Sequence, residues 1–109
     1  MPETDYIVVL VTAPVDKGPD IARHVVDARL AACANIVPEV RSIYRWQGRI
    51  EDDRECLLVM KTERSAFDAL AAAIRSVHPY SVPEIIAVPI TAGSSSYLDW
   101  IAAVRRGEH

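Results

Sequence analysis

What this chain has little of narrows its function before any motif is sought. Its 109 residues hold four glycines, at 18, 48, 93 and 107. Their spacing excludes the Gly-x-Gly-x-x-Gly and P-loop patterns that cradle phosphate. Two cysteines, Cys33 and Cys56, form no Cys-x-x-Cys pair, so the short-range ligand signature of a metal site is missing. The net charge is −3, and no cluster of Lys and Arg offers a nucleic-acid footprint. The apolar run 6–11 is too short to cross a bilayer, and with Glu3 and Asp5 before it there is no basic flank of a signal peptide. No nucleophile and base stand in a catalytic arrangement, which speaks against an enzyme. Internal repeats and low-complexity tracts are also lacking. What is present is a chain half of whose residues are hydrophobic, enough for a single domain over 1–109 with a moderate core. Free thiols fit a reducing, cytoplasmic location.

The longest patterned stretch is 40–60, read as two β-strands about Gly48. Val40, Tyr44 and Trp46 share one parity, Arg41, Arg45 and Gln47 the other; on the return, Ile50, Cys56, Leu58 and Met60 alternate with Glu51, Asp53 and Glu55. A three-residue loop of Gln47, Gly48 and Arg49 sets Trp46 opposite Ile50, Arg45 opposite Glu51 and Arg41 opposite Glu55, matching both faces. A two-residue loop instead sets Arg41 against Arg54 and exchanges the faces. In the three-residue register Cys56 lies opposite Val40, about 20 Å along the strand from Cys33, too far for a disulfide. Strands over 36–46 and back to 61 span roughly 35 Å each, whereas a domain of this size has a radius of gyration of about 13 Å. The tip, with Tyr44 and Trp46, therefore extends past its own core and needs cover. That cover is another subunit or, if the strands are shorter and bent, the same domain.

The other elements follow from periodicity and punctuation. A strand over 6–13 is apolar on both faces and closed by Pro14. A helix opens with Gly18 at its N-cap and Pro19 at its first position, and Ile21, Val25, Ala28 and Ala32 recur at helical spacing. A second helix carries Phe67, Leu70, Ile74 and Val77 and stops at His78, before Pro79. A strand over 84–91 and a last helix over 97–106, stopped by Gly107, complete the chain. The last helix is apolar on two sides, Leu98 with Ile101 and Tyr97 with Trp100 and Val104. The order β-α-β-β-α-β plus a C-terminal helix is that of an α+β, ferredoxin-like sandwich with an extended β2-β3 hairpin. Its sheet is expected antiparallel, with two helices on one face. Leu57 with Leu58 and Val59 with Met60 leave the other face apolar too, a second reason to expect an oligomer.

Five segments in order carry a family resemblance: 30–35, Leu-Ala-Ala-Cys-Ala-Asn; 44–50, Tyr-Arg-Trp-Gln-Gly-Arg-Ile; Lys61-Thr62; His78-Pro79-Tyr80 with Pro83-Glu84; and Tyr97-Leu98-Asp99-Trp100. Together they resemble the CutA divalent-cation tolerance proteins over nearly the whole chain. The resemblance implies a homotrimer similar in architecture to the PII signalling proteins, with the hairpin and last helix at its interfaces. It also implies a role in tolerance of copper and other divalent metals, with a metal such as Cu2+ bound but not required for folding.

A borderline divalent ion takes thiolate and imidazole, with carboxylate as a supplement. Cys33, His78 and Glu84 match the family's Cys, His-Pro-Tyr and Pro-Glu positions, and in a ferredoxin-like sheet they could converge near one end, within a subunit or across an interface. Thr12 and Val77 stand where some members have a further Cys and His, which lowers the number of soft donors. Each candidate also has a plain reading: Cys33 as a small buried hydrophobe, His78 as a helix terminus, Glu84 as a partner of Lys61. The loop 78–84, with Pro79 and Pro83, is expected to be stiff and to hold His78, Tyr80 and Glu84 in place. Tyr44, Trp46, Lys61, Tyr80, Tyr97 and Trp100 are candidate cleft or interface residues. Three readings stay open: a metal-binding trimer, a PII-like trimer taking a small anionic ligand or partner protein at its clefts through Lys61, Arg64 and Tyr80, and an enzyme using Cys33 and His78.

Overall fold

The computed structural model describes residues 5–108, and of the residues named above only Glu3 lies outside that range. Strand β1, Tyr6–Ala13, sits at the centre of a four-stranded sheet because both its faces are apolar. Ile7, Val9, Val11 and Ala13 point into the core, while Tyr6, Val8, Leu10 and Thr12 are half-buried on the other side. Its neighbours are β3, Arg49–Glu63, and β4, Ile85–Pro89; β2, Cys33–Trp46, pairs with β3 to give the order β2-β3-β1-β4, every pair antiparallel. This is the split β-α-β arrangement expected from the element order. Helices α1, Gly18–Asp27, and α2, Phe67–Val77, place Ile21, Val25, Leu70 and Ile74 against Leu58 and Met60 of the sheet. Each such aliphatic side chain, fully buried, contributes about 1.5–3 kcal/mol.

Helix α3, Ser95–Arg105, lies on the opposite face. Arg105 Nη1 reaches Glu63 Oε1 at 2.6 Å and its Nε donates to the Arg29 carbonyl at 3.1 Å, while Ile101 and Ala102 are buried. The sheet face expected to need a second subunit is thus partly closed by the chain's own last helix. Tyr97 and Trp100 remain partly exposed, stacked with ring centroids 5.5 Å apart.

Several boundaries move for local reasons. Helix α1 ends at Asp27 rather than running to Ala32, because Arg29 adopts the left-handed conformation (φ 58°) and the Leu30 and Ala31 N–H groups turn back to the Val25 carbonyl. Ala31 and Ala32 are buried as the lead-in to β2 instead. Lys17, not Gly18, is the N-cap of α1. Gly18 lies in the first turn against the Cys56 side chain, where a Cβ would run into Sγ. β4 is shorter than 84–91, and α3 starts two residues earlier than expected, with Ser94 as its N-cap.

The hairpin contains the main correction. Its loop has two residues, Gln47 (φ 50°) and Gly48 (φ 79°), both left-handed as a type I′ turn requires. Trp46 therefore faces Arg49, Arg45 faces Ile50, Tyr44 faces Glu51 and Arg41 faces Arg54. The feared repulsion is relieved on the diagonals: Arg41 takes Asp52 with two hydrogen bonds of 2.9 and 2.7 Å, and Arg54 pairs with Glu39. An extra residue in β2 between Val37 and Val40, at Pro38 and Glu39, is a β-bulge. It restores Ile36 opposite Leu58 at the base while the tip keeps its own parity. Tyr44 and Trp46 consequently share a face with Glu51, Asp53 and Glu55, not with Ile50 and Cys56.

Candidate functional site

The register puts Tyr44 and Trp46 on the face of Glu51, Asp53 and Glu55, the sheet face turned away from α1 and α2, and Tyr80 joins them from the loop after α2. A cleft of about 800 Å³ opens there, lined by Thr12, Tyr44, Trp46, Glu55, Tyr80 and Glu84 among others. Tyr44 Oη donates to Asp53 at 2.5 Å, a bond that pushes its hydroxyl pKa up to about 12. Tyr80 Oη donates to Glu55 Oε2 at 2.9 Å, and burial, then that bond, hold the Tyr80 hydroxyl well above the ordinary phenol range. Glu55 is only 5% exposed. Glu84 stands on the rim, 3.5 Å from the hydroxyl of Thr12.

His78, 8% exposed, is held by the same end of β1. Its Nδ1 accepts the Tyr80 N–H at 3.1 Å and its Nε2 lies 2.8 Å from the Thr12 carbonyl, so the ring is neutral with its proton on Nε2. Neither nitrogen is left to bind a metal in this position. The ring also packs on Tyr80, centroids 4.7 Å apart. The stiff loop thus gathers His78, Tyr80 and Glu84 about Thr12.

Cys33 is elsewhere. It is paired with Lys61, which is paired with Val8, four residues from Thr12 along β1. That offset is about 13 Å along the strand, beyond two strand spacings of about 4.8 Å across the sheet. Within one chain Cys33, His78 and Glu84 do not converge, and no group of three His, Cys, Asp or Glu side chains suited to a metal occurs among the described residues. The Cys33 and His78 dyad does not form either: the Cys33 thiol meets Tyr97 Oη at 3.6 Å, and that contact pushes the Tyr97 hydroxyl pKa up to about 12. Cys56 is buried, and desolvation pushes its thiol pKa up.

The candidates for an anionic ligand are dispersed as well. Lys61 is hydrogen-bonded to Asn35, Tyr80 lies in the hairpin cleft, and Arg64 lines a second cleft with Asp5, Glu63 and Asp68. Glu55 and Asp53 were not singled out in the sequence. The alternation of acids at 51, 53 and 55 was legible, but their association with Tyr44 and Tyr80 depended on the two-residue turn, and Gln-Gly is a weaker signal for such a turn than Asn-Gly.

Fold and segment order together define a ferredoxin-like chain of the divalent-ion tolerance class, and the chain belongs to the CutA1 divalent ion tolerance protein family, whose sequence profile matches residues 7–104. It is 50% identical over 95 residues to the divalent-cation tolerance protein CutA of Thermus thermophilus, covering 86% of this chain and 92% of that protein. It is equally similar to the human protein CutA, 50% over 95 residues, but there it spans about half of the longer relative (53%). Among solved structures, the periplasmic divalent cation tolerance protein CutA from Archaeoglobus fulgidus superposes with a TM-score of 0.89 at 32% identity, covering 92% of this chain and 98% of that one. The family is named for tolerance of divalent ions rather than for a reaction.

Proposed function

We propose that this chain acts in divalent-cation tolerance as a cytoplasmic homotrimer that binds a copper-like divalent cation where its copies meet. Family membership supports the cation. The observation that carries the assembly is the overhang of the hairpin: β1 pairs with β3 only from Cys56 to Glu63, so among the described residues the stretch 49–55 has no strand partner on that side. On the same overhang Ile43 and Ile50 are 65% and 61% exposed. An apolar ribbon with an open backbone edge is poorly stable alone and is covered by another copy. The edge of β4 offers Ile86 and Val88, both half exposed, as a matching surface.

Donors come singly or in pairs within one chain, so a site of three needs a neighbour. Glu84 is exposed and Cys33 half-buried; His78 joins only by giving up its bond to the Thr12 carbonyl or to the Tyr80 N–H. The unpaired thiols support a reducing compartment. The test is a copper titration followed by native mass spectrometry on the wild type and on Cys33→Ser, His78→Ala and Glu84→Gln. Lower affinity or stoichiometry in these variants, with assembly retained, is expected. Copper binding unchanged in all three rejects these donors.

A further inference from the structure

We infer that the hairpin cleft is a binding site for an organic cation, an alkylammonium or alkylguanidinium head group seated on the Glu55 carboxylate beside the rings of Tyr44 and Tyr80. Glu55 is buried, yet among the described residues it forms no ion pair, and its hydrogen bond comes from one neutral donor, Tyr80. A carboxylate withdrawn from water on those terms is unfavourable unless a cation accompanies it. None of the described residues supplies that cation. Arg41 also lines the cleft, but both of its hydrogen bonds go to Asp52.

The walls suit the same class of ligand. Aromatic faces attract cations, and both rings are anchored by their hydroxyls, Tyr44 on Asp53 and Tyr80 on Glu55. Glu84 adds a second negative charge at the rim, and about 800 Å³ accommodates a small ligand. A bare metal ion is a poorer fit for Glu55, since it requires several converging donors and none but this carboxylate is buried here. A weakly hydrated organic cation needs one carboxylate and ring faces. This site differs from the proposed metal donors Cys33 and His78 and shares only Glu84 with them.

The cation has two possible sources, a free small molecule or an arginine or lysine side chain of another copy, such as Arg45 or Arg49 near the hairpin tip. Calorimetric titration of the whole protein with butylguanidinium, in the presence of EDTA, separates this site from metal binding. Saturable binding is expected, with neutral butylurea failing to bind, with affinity reduced at least tenfold in Glu55→Gln and severalfold in Tyr44→Ala, and with circular dichroism unchanged. Butylguanidinium bound by the wild type identifies an open pocket for a free ligand. Binding only after Arg45→Gln or Arg49→Gln assigns the natural cation to a second copy. No binding to the wild type or to either arginine variant, or full affinity in Glu55→Gln, overturns the proposal.

Discussion

Tyr80 shows how much one side chain can organise. Its hydroxyl donates to a buried carboxylate, its backbone N–H fixes the tautomer of His78, and its ring forms a wall of the cleft. All four tyrosines, Tyr6, Tyr44, Tyr80 and Tyr97, have pKa values raised above the ordinary 10.0, Tyr6 chiefly by burial, Tyr44 by Asp53, Tyr80 by burial and Tyr97 by Cys33. A folded-state pKa above the unfolded value means the native chain holds the phenolic proton more tightly. The associated stability is complete below pH 10 and is lost as the pH rises through the native values, about 12 for Tyr44 and Tyr97. Absorbance at 295 nm should therefore show little phenolate in the native protein at pH 10.5, while the urea-unfolded chain is largely ionised. Overlapping native and unfolded titrations would contradict this. At Gly18 the argument is steric: Gly18→Ala forces its Cβ against Cys56 and should cost about 1–3 kcal/mol in denaturant unfolding. The penalty should shrink in a Cys56→Ala background, because the two sites are in contact.

The elements themselves were legible from the sequence to within a few residues. Strand β1 announced itself by an apolar run on both faces, α2 by the spacing of Phe67, Leu70, Ile74 and Val77, and the ferredoxin-like order followed from their succession. What was not legible was the hairpin register, because charge pairing favoured a three-residue loop while backbone twist favours the type I′ turn. Diagonal pairs and a bulge at Pro38 reconcile the two, and neither has a sequence signature as plain as alternation. The same error hid the candidate site, since the aromatic side chains and the acids seemed to lie on opposite faces. Cys33 begins β2 as expected, but motif order gives no distance along a sheet, so its separation from His78 and Glu84 within one chain was not legible. The turn can be checked directly. Gly48→Ala, at φ 79°, should lower stability by about 1 kcal/mol, and Gln47→Asn should raise it by a few tenths, both read from urea midpoints at fixed protein concentration. A three-residue loop would leave Gln47→Asn without effect.

For the molecule as a whole, the longest dimension is 44 Å against 26 and 23 Å across, and the hairpin accounts for the excess. Helix α3 covers part of the second sheet face, so the demand for a partner rests on the hairpin overhang, on the edge of β4 and on the Tyr97 and Trp100 pair, rather than on an open sheet. If the proposed trimer dissociates as it unfolds, folding is tied to association and the melting temperature should rise with protein concentration. The most direct measurement is the mass of the folded protein by sedimentation at micromolar concentration. A species of three chains of 12.0 kDa each is predicted; a folded, soluble single chain at that dilution would contradict the assembly.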